Sequence, residues 1–208
     1  MNGLDIFTIL QIGISLFMIL DPPGAIPIML RIVEDLDEAE RLNLSLYVTI
    51  FILSMLIMFT VVGEYILVYF GISYSALKIA GGLLIGVVGF EMTRAGEKPR
   101  TKKEKLRSID EAYSSALVPL GSPLLVGPGA ISLAILNGAL YGYIPSIIGA
   151  IIASLLTFPF IYFSKSIGRL IGTRGVRVLT RVLGIFILAI GVQYIIDGIE
   201  IVISPYLH

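Results

Sequence analysis

Asp21-Pro-Pro-Gly-Ala-Ile-Pro27 sets a carboxylate directly before two prolines and a glycine, and Gly127-Pro128-Gly129-Ala130-Ile131-Ser132 echoes the pattern without the carboxylate. Proline cannot donate to a helix ladder and disfavours helical geometry in the residue before it, so each motif predicts a helix that stops and restarts. A restarted helix presents unpaired N–H groups and the positive end of its dipole. The donors expected are those of Gly24, Ala25 and Ile26 in one motif, and of Gly129, Ala130, Ile131 and Ser132 in the other. Such ends hold anions, for example the carboxylate of a small solute. Asp21 admits three roles: capping the restarted helix, meeting a substrate ammonium, or carrying a coupling proton. Gly127 has no side chain to cap with, so its helix depends more on water or a ligand.

Other chemistry is poorly provided for. There is no cysteine, and His208, the last residue, is the one histidine. Thiol catalysis, Cys-ligated metals and buried imidazole chemistry are therefore excluded. No nucleophile–base pair is recognisable, so the expectation is no catalytic residue, no metal, no cofactor and no enzyme.

The elements that must position the two motifs are membrane helices. Of the 208 residues 56% are hydrophobic and 14% charged, with a mean hydropathy of +0.94, outside the range of ordinary soluble domains. Apolar runs near 4–31, 43–70, 74–92, 112–138, 143–164 and 181–203 are each about the 20 residues a helix needs to cross hydrocarbon. They are continuous, unlike the alternating strands of a membrane barrel. The first lacks a basic flank and runs into Asp21 rather than a cleavage site, and is expected to be a retained span. Asp21 lies about 16 residues into it, roughly 24 Å of helix, hence inside the bilayer.

Charge orients the spans. Of the 15 Lys and Arg residues, only Lys78 lies outside the connectors at 31–41, 93–111 and 165–181 or their immediate flanks. Positive connectors stay in the cytoplasm, which puts both termini outside. The basic run in 93–111 is interleaved with Glu97 and Glu104 and reads as a solvated loop, with no nucleic acid partner. Tyr65, Tyr69, Tyr74, Tyr141, Tyr143 and Tyr206 fall toward the outer face and supply an interfacial belt in a chain without Trp.

Pro23-Gly-Ala-Ile26 recurs as Pro128-Gly-Ala-Ile131 and Ile85-Gly-Val87 as Ile190-Gly-Val192, both 105 residues apart. With three spans per half, a duplication makes 1–92 and 112–203 inverted repeats of one membrane domain, 1–208, joined by the cytoplasmic loop 93–111. The expected fold is all-α: six transmembrane helices as two inverted three-helix repeats, with helices 1 and 4 broken mid-membrane, the latter at Pro119, Pro123 and 127–129. Simple packing kinks are the alternative reading of the prolines. Ser15, Ser132, Asn137, Thr49, Ser54, Thr60 and Gln193 are supporting polar residues that either line a cavity or bind helices together. Glu64, Glu91 and Asp197, near span ends, are expected to snorkel or to pair with loop cations.

Asp21-Pro-Pro-Gly-Ala-Ile-Pro-Ile28 and Pro119-Leu-Gly-Ser-Pro-Leu-Leu-Val-Gly-Pro-Gly-Ala-Ile131 resemble the MarC family of inner-membrane proteins, which includes the SnatA small neutral amino acid transporters. Lys78-Ile-Ala-Gly-Gly82 and Gly191-Val-Gln-Tyr-Ile-Ile-Asp-Gly198 resemble that family's third and sixth spans. The resemblance implies six spans in the cytoplasmic membrane and transport of glycine, alanine or similar amino acids, with protons as the coupling ion. The family commonly has Asn where this chain has Asp21. A passive small-solute channel, or a structural or sensory membrane partner, are the alternative functions.

Overall fold

The computed structural model describes residues 5–33, 36–94 and 125–204, and every regular element among them is an α-helix. In chain order these are α1 (Ile6–Leu20), α2 (Pro22–Ile32), α3 (Glu38–Tyr69), α4 (Tyr74–Thr93), α5 (Pro128–Tyr141), α6 (Tyr143–Tyr162) and α7 (Ser164–Ile203). Five spans are long and apolar enough to cross a membrane, with α1 and α2 counted together as Ile6–Leu30. The 14-residue α5 is shorter, roughly 21 Å at 1.5 Å per residue. The all-α membrane architecture expected from hydropathy is thus the observed one.

Local chemistry fixes the helix ends. Asp5 caps α1 by accepting from Phe7 N at 3.1 Å and Thr8 Oγ1 at 2.8 Å, and these bonds hold its carboxyl below the usual range. A reciprocal Asp37–Glu40 capping box starts α3, with both bonds under 3 Å. Ser73 caps α4, and Gly71, Gly142 and Gly172 supply the positive φ angles of the turns. The first span is interrupted at Asp21 alone, which has φ 45° and ψ 57° and serves as both C-cap of α1 and N-cap of α2. Among the described residues it is the one non-glycine with positive φ. Pro22 accounts for the break, since it disfavours the right-handed helical region at Asp21, and Asp is one of the few residues that tolerate the left-handed angle.

Packing relies on small residues. α4 and α7 run antiparallel with their backbones in contact: a Cβ added to Gly191 would lie 2.5 Å from Gly86 N and 2.7 Å from Gly82 O, and one on Gly89 would lie 2.9 Å from Gly184 O. α1 and α6 run parallel, Gly13 against Ile152 and Phe17 against Phe160 with ring centroids 5.5 Å apart. Leu44, Val48, Ile52 and Leu56 form the buried stripe of α3, while Ile50, Met58 and Val62 on the same helix are exposed. Helices apolar on every side suit a lipid solvent.

Two expected connectors are shorter than the sequence pattern predicts. The 31–41 segment already contains the capped first turn of α3, and 165–181 is helical, bent at Gly172 (φ 67°, ψ 172°). The polar residues there mark helix emerging from hydrocarbon, not loop. Pro119, Pro123, Tyr206 and the loop beyond residue 94 lie outside the described residues. The described part of the fourth span is its second half, starting at Pro128.

Candidate functional site

The two restarts are neighbours. A Cβ on Gly129 would lie 2.9 Å from Ile19 Cδ1 and 3.0 Å from Val88 Cγ2, so the start of α5 packs between α4 and the last turn of α1, two residues from Asp21. Leu125, Val126, Gly129 and Ala130 are buried, as are Ala25 and Ile26; Asp21, Gly24, Gly127, Ile131 and Ser132 are half-buried.

Fewer N–H groups are open than the motifs suggest. Gly24 N donates to Asp21 Oδ1 at 3.1 Å, Ala25 N bonds the Asp21 carbonyl at 3.2 Å and Ile131 N the Gly127 carbonyl at 3.1 Å. From Ile26 and Ser132 onward the donors belong to the helix ladder. Pro22, Pro23 and Pro128 occupy the first helical positions, where they contribute no donor. What remains is asymmetric: α2 is side-chain capped, whereas Gly127 provides no side-chain cap, leaving Gly129 and Ala130 as the donors without an intrahelical partner.

Asp21 has a partner that sequence inspection missed. Thr180 on α7, itself buried, donates its Oγ1 to Asp21 Oδ1 at 3.2 Å. Asp21 Oδ1 therefore serves the cap and the α7 contact, while Oδ2 has no partner among the described residues. The 159 residues between the pair leave no local signal, and position 180 had been read as connector.

A second polar locus lies toward the N-terminal end of α1. There a cavity of about 500 Å³ opens between α1, α5 and α7, where Ser15, Asn137 and Gln193 meet Gln11, Tyr141, Tyr194 and Asp197. Ser132, Thr49, Ser54 and Thr60 do not line it. None of the residues of the two restarts lines it either; Met18 is the lining residue nearest to Asp21 in sequence. Among the described residues, buried polar side-chain atoms without a partner occur on Arg41, Thr60, Asn137, Ser154 and Ser164, and of these only Asn137 faces the cavity. An unsatisfied buried donor costs about 1–3 kcal/mol.

Asp197 does not pair with a loop cation, as its position near a span end suggested. Lys78 of α4 reaches it at 3.3 Å, and Gln193 donates to its other oxygen at 2.7 Å. The reason is placement: Lys78 is the one basic residue at this end of the helices. Glu64 is bonded by the Tyr143 hydroxyl. The i, i+4 spacing of Gln193 and Asp197 in an apolar helix was the available signal for this cluster.

Comparison with known proteins places this chain among a group of membrane proteins. The model of the MarC family integral membrane protein matches residues 6–203. A UPF0056 membrane protein of Methanocaldococcus jannaschii is 35% identical over 89% of this chain and 93% of its own length. The membrane protein YhcE of Escherichia coli is 31% identical over 90% of this chain and 89% of its own. The inner membrane protein MarC of Citrobacter koseri is 27% identical over 98% and 99%. No solved structure matches the chain.

Proposed function

The chain belongs to the MarC family of integral membrane proteins, and from that premise we propose that it is a secondary transporter of small neutral amino acids such as glycine and alanine, coupled to protons and resident in the cytoplasmic membrane. One observation carries the reading: a membrane helix interrupted at a single charged residue, beside a second helix start that has no side-chain cap. Backbone left unpaired at membrane depth is tolerated where it lines a cavity or meets a ligand, and opposed half-helices are how many secondary transporters build their binding sites.

The amino acid carboxylate sits at the Gly129 and Ala130 N–H groups, around Gly127, Ile131 and Ser132. The ammonium lies toward Asp21 Oδ2, with Gly24, Ala25 and Ile26 setting the position of the cap. Asp21 is also the proton carrier, since a group that neutralises inside hydrocarbon removes the cost of a bare charge. A site lined by Gly24, Ala25, Gly129 and Ala130 favours small side chains.

The inverted repeat has geometric support. Adding 105 to Gly63 and subtracting it from Ile135 gives Gly168 and Leu30, and both pairs touch: a Cβ on Gly63 or on Gly168 would lie 2.6 Å from Ile135 Cγ1 or Leu30 Cδ1 respectively. Gly86 and Gly191, also 105 apart, face each other, as an inverted repeat requires of a pair astride its pseudo-two-fold axis. Parallel α1–α6 and antiparallel α4–α7 pairs agree with six spans in one membrane domain, and it is the basic connectors that favour both termini outside.

Purified protein in proteoliposomes, given radiolabelled glycine or alanine with and without a pH gradient, provides the test. Saturable uptake that follows the gradient is expected. Flux that never saturates identifies a channel instead, and no gradient-sensitive flux across a panel of amino acids ends the proposal.

A further inference from the structure

The cavity between α1, α5 and α7 is separate from the two helix starts, and its lining has a chemistry of its own. One end is polar. Asn137, 1% exposed, is one of its lining residues and carries an amide Nδ2 without a partner among the described residues, next to Gln193 and an Asp197 whose charge is balanced by Lys78 at 3.3 Å. The other end is apolar, built from Phe7, Leu10, Ile14, Phe186 and Ile190. The polar end therefore carries one anion, neutralised by a Lys78 that is not itself a lining residue, an amide donor without a partner among the described residues, and carboxylate lone pairs beyond the two already engaged.

We propose that this cavity is a second binding site, taking a zwitterionic amino acid with a large apolar side chain. Charge decides the ligand class. A simple cation or anion would add an unbalanced charge to a neutral wall, whereas a zwitterion adds none. Its ammonium meets Asp197, its carboxylate meets Asn137 Nδ2, and its side chain lies among Phe7, Leu10 and Phe186. Volume decides the side chain: about 500 Å³ is within the range of pockets that enclose ligands far larger than glycine. The position of the site toward the α1 N-terminus makes it an outer vestibule, and that role, though not the binding, rests on the transporter reading.

The test is equilibrium binding of radiolabelled L-leucine to the full chain in lipid nanodiscs. Leucine is expected to bind saturably, at least tenfold tighter than glycine. In the unaltered protein, 3-methylbutylamine and 4-methylpentanoate, which keep the side chain but only one charge, should compete at least tenfold more weakly than leucine. Asn137→Leu and Asp197→Asn should each weaken leucine binding tenfold or more in protein that still elutes as a single folded species. Equal competition by either single-charge analogue, or by added phospholipid, overturns the proposal, as does undiminished binding by both variants. Leucine binding without flux of any amino acid would remove the transporter reading and leave this site standing. Glycine flux without leucine binding would do the reverse.

Discussion

Replacing Asp21 by alanine removes three contributions at once, and their sizes follow from the structure. The bond from Gly24 N at 3.1 Å is a helix cap, worth about 0.5–2 kcal/mol. The Thr180 hydroxyl at 3.2 Å loses its acceptor in a buried setting, at about 1–3 kcal/mol, toward the low end because threonine can turn back to its own helix carbonyl. The φ of 45° suits Asp, Asn or Gly, and alanine there costs roughly 1 kcal/mol more. Asp21→Ala should thus destabilise by about 2–5 kcal/mol. Asp21→Gly keeps the backbone comfortable and is itself a tolerable cap, so it should lose about 1–2 kcal/mol, mostly the hydroxyl contribution. Asp21→Asn retains the angle and the accepting oxygen and should stay within about 1 kcal/mol of the parent. It has no group to titrate, so its amino acid flux should cease to respond to a pH gradient. Unfolding followed in detergent orders the three variants, and gradient-dependent uptake separates Asn from Asp. Alanine matching the parent in stability, or asparagine as unstable as alanine, would refute the dual-cap account; an asparagine variant with full gradient response would take the proton away from Asp21.

Three further outcomes are expected. Gly191→Val forces side-chain atoms into Gly86 N, 2.5 Å from the added Cβ, and should cost about 3 kcal/mol or more by overpacking, whereas Gly71→Ala, with nothing within 4 Å, should cost about 1 kcal/mol for its positive φ; thermal unfolding compares them. Lys78→Met strips Asp197 of its cation, and with side chains 13% and 33% exposed the loss should be about 1–3 kcal/mol, below that of a fully buried pair, with much of it recovered in Lys78→Met/Asp197→Asn. The chain has no cysteine, so Lys102→Cys and Ser73→Cys report topology cleanly: an impermeant thiol reagent applied to intact cells should modify the second and not the first.

Hydropathy made the helices legible because lipid imposes one requirement on every span. The break at Asp21 was legible for the same reason, since two prolines inside hydrocarbon admit few structures. The polar stretch 165–181 was misread because polarity marks exposure to water, which a helix leaving the membrane shares with a loop. The open donors were overestimated at Gly24, Ala25 and Ile26 because counting glycines overlooks what prolines and a capping carboxylate remove. Asn137, Ser15 and Gln193 were visible one by one as polar residues in apolar spans. Their convergence was not, because it depends on how α1, α5 and α7 lean together, and the Lys78–Asp197 and Thr180–Asp21 pairs join residues 119 and 159 apart.

The seam between α4 and α7 has a mechanical consequence. Where Gly82, Gly86 and Gly89 face Gly184 and Gly191, the two backbones touch directly and the side chains of Ile195, Leu188 and Met92 lie against glycines opposite them, so the seam is held by many short-range contacts of small individual strength. Such a joint resists being pulled apart, because all those contacts weaken together with distance. It resists sideways slip less, because glycines leave few side chains that must change rotamer as the surfaces slide. α4 and α7 are thus fastened along a bearing that runs past Gly86 and Gly191.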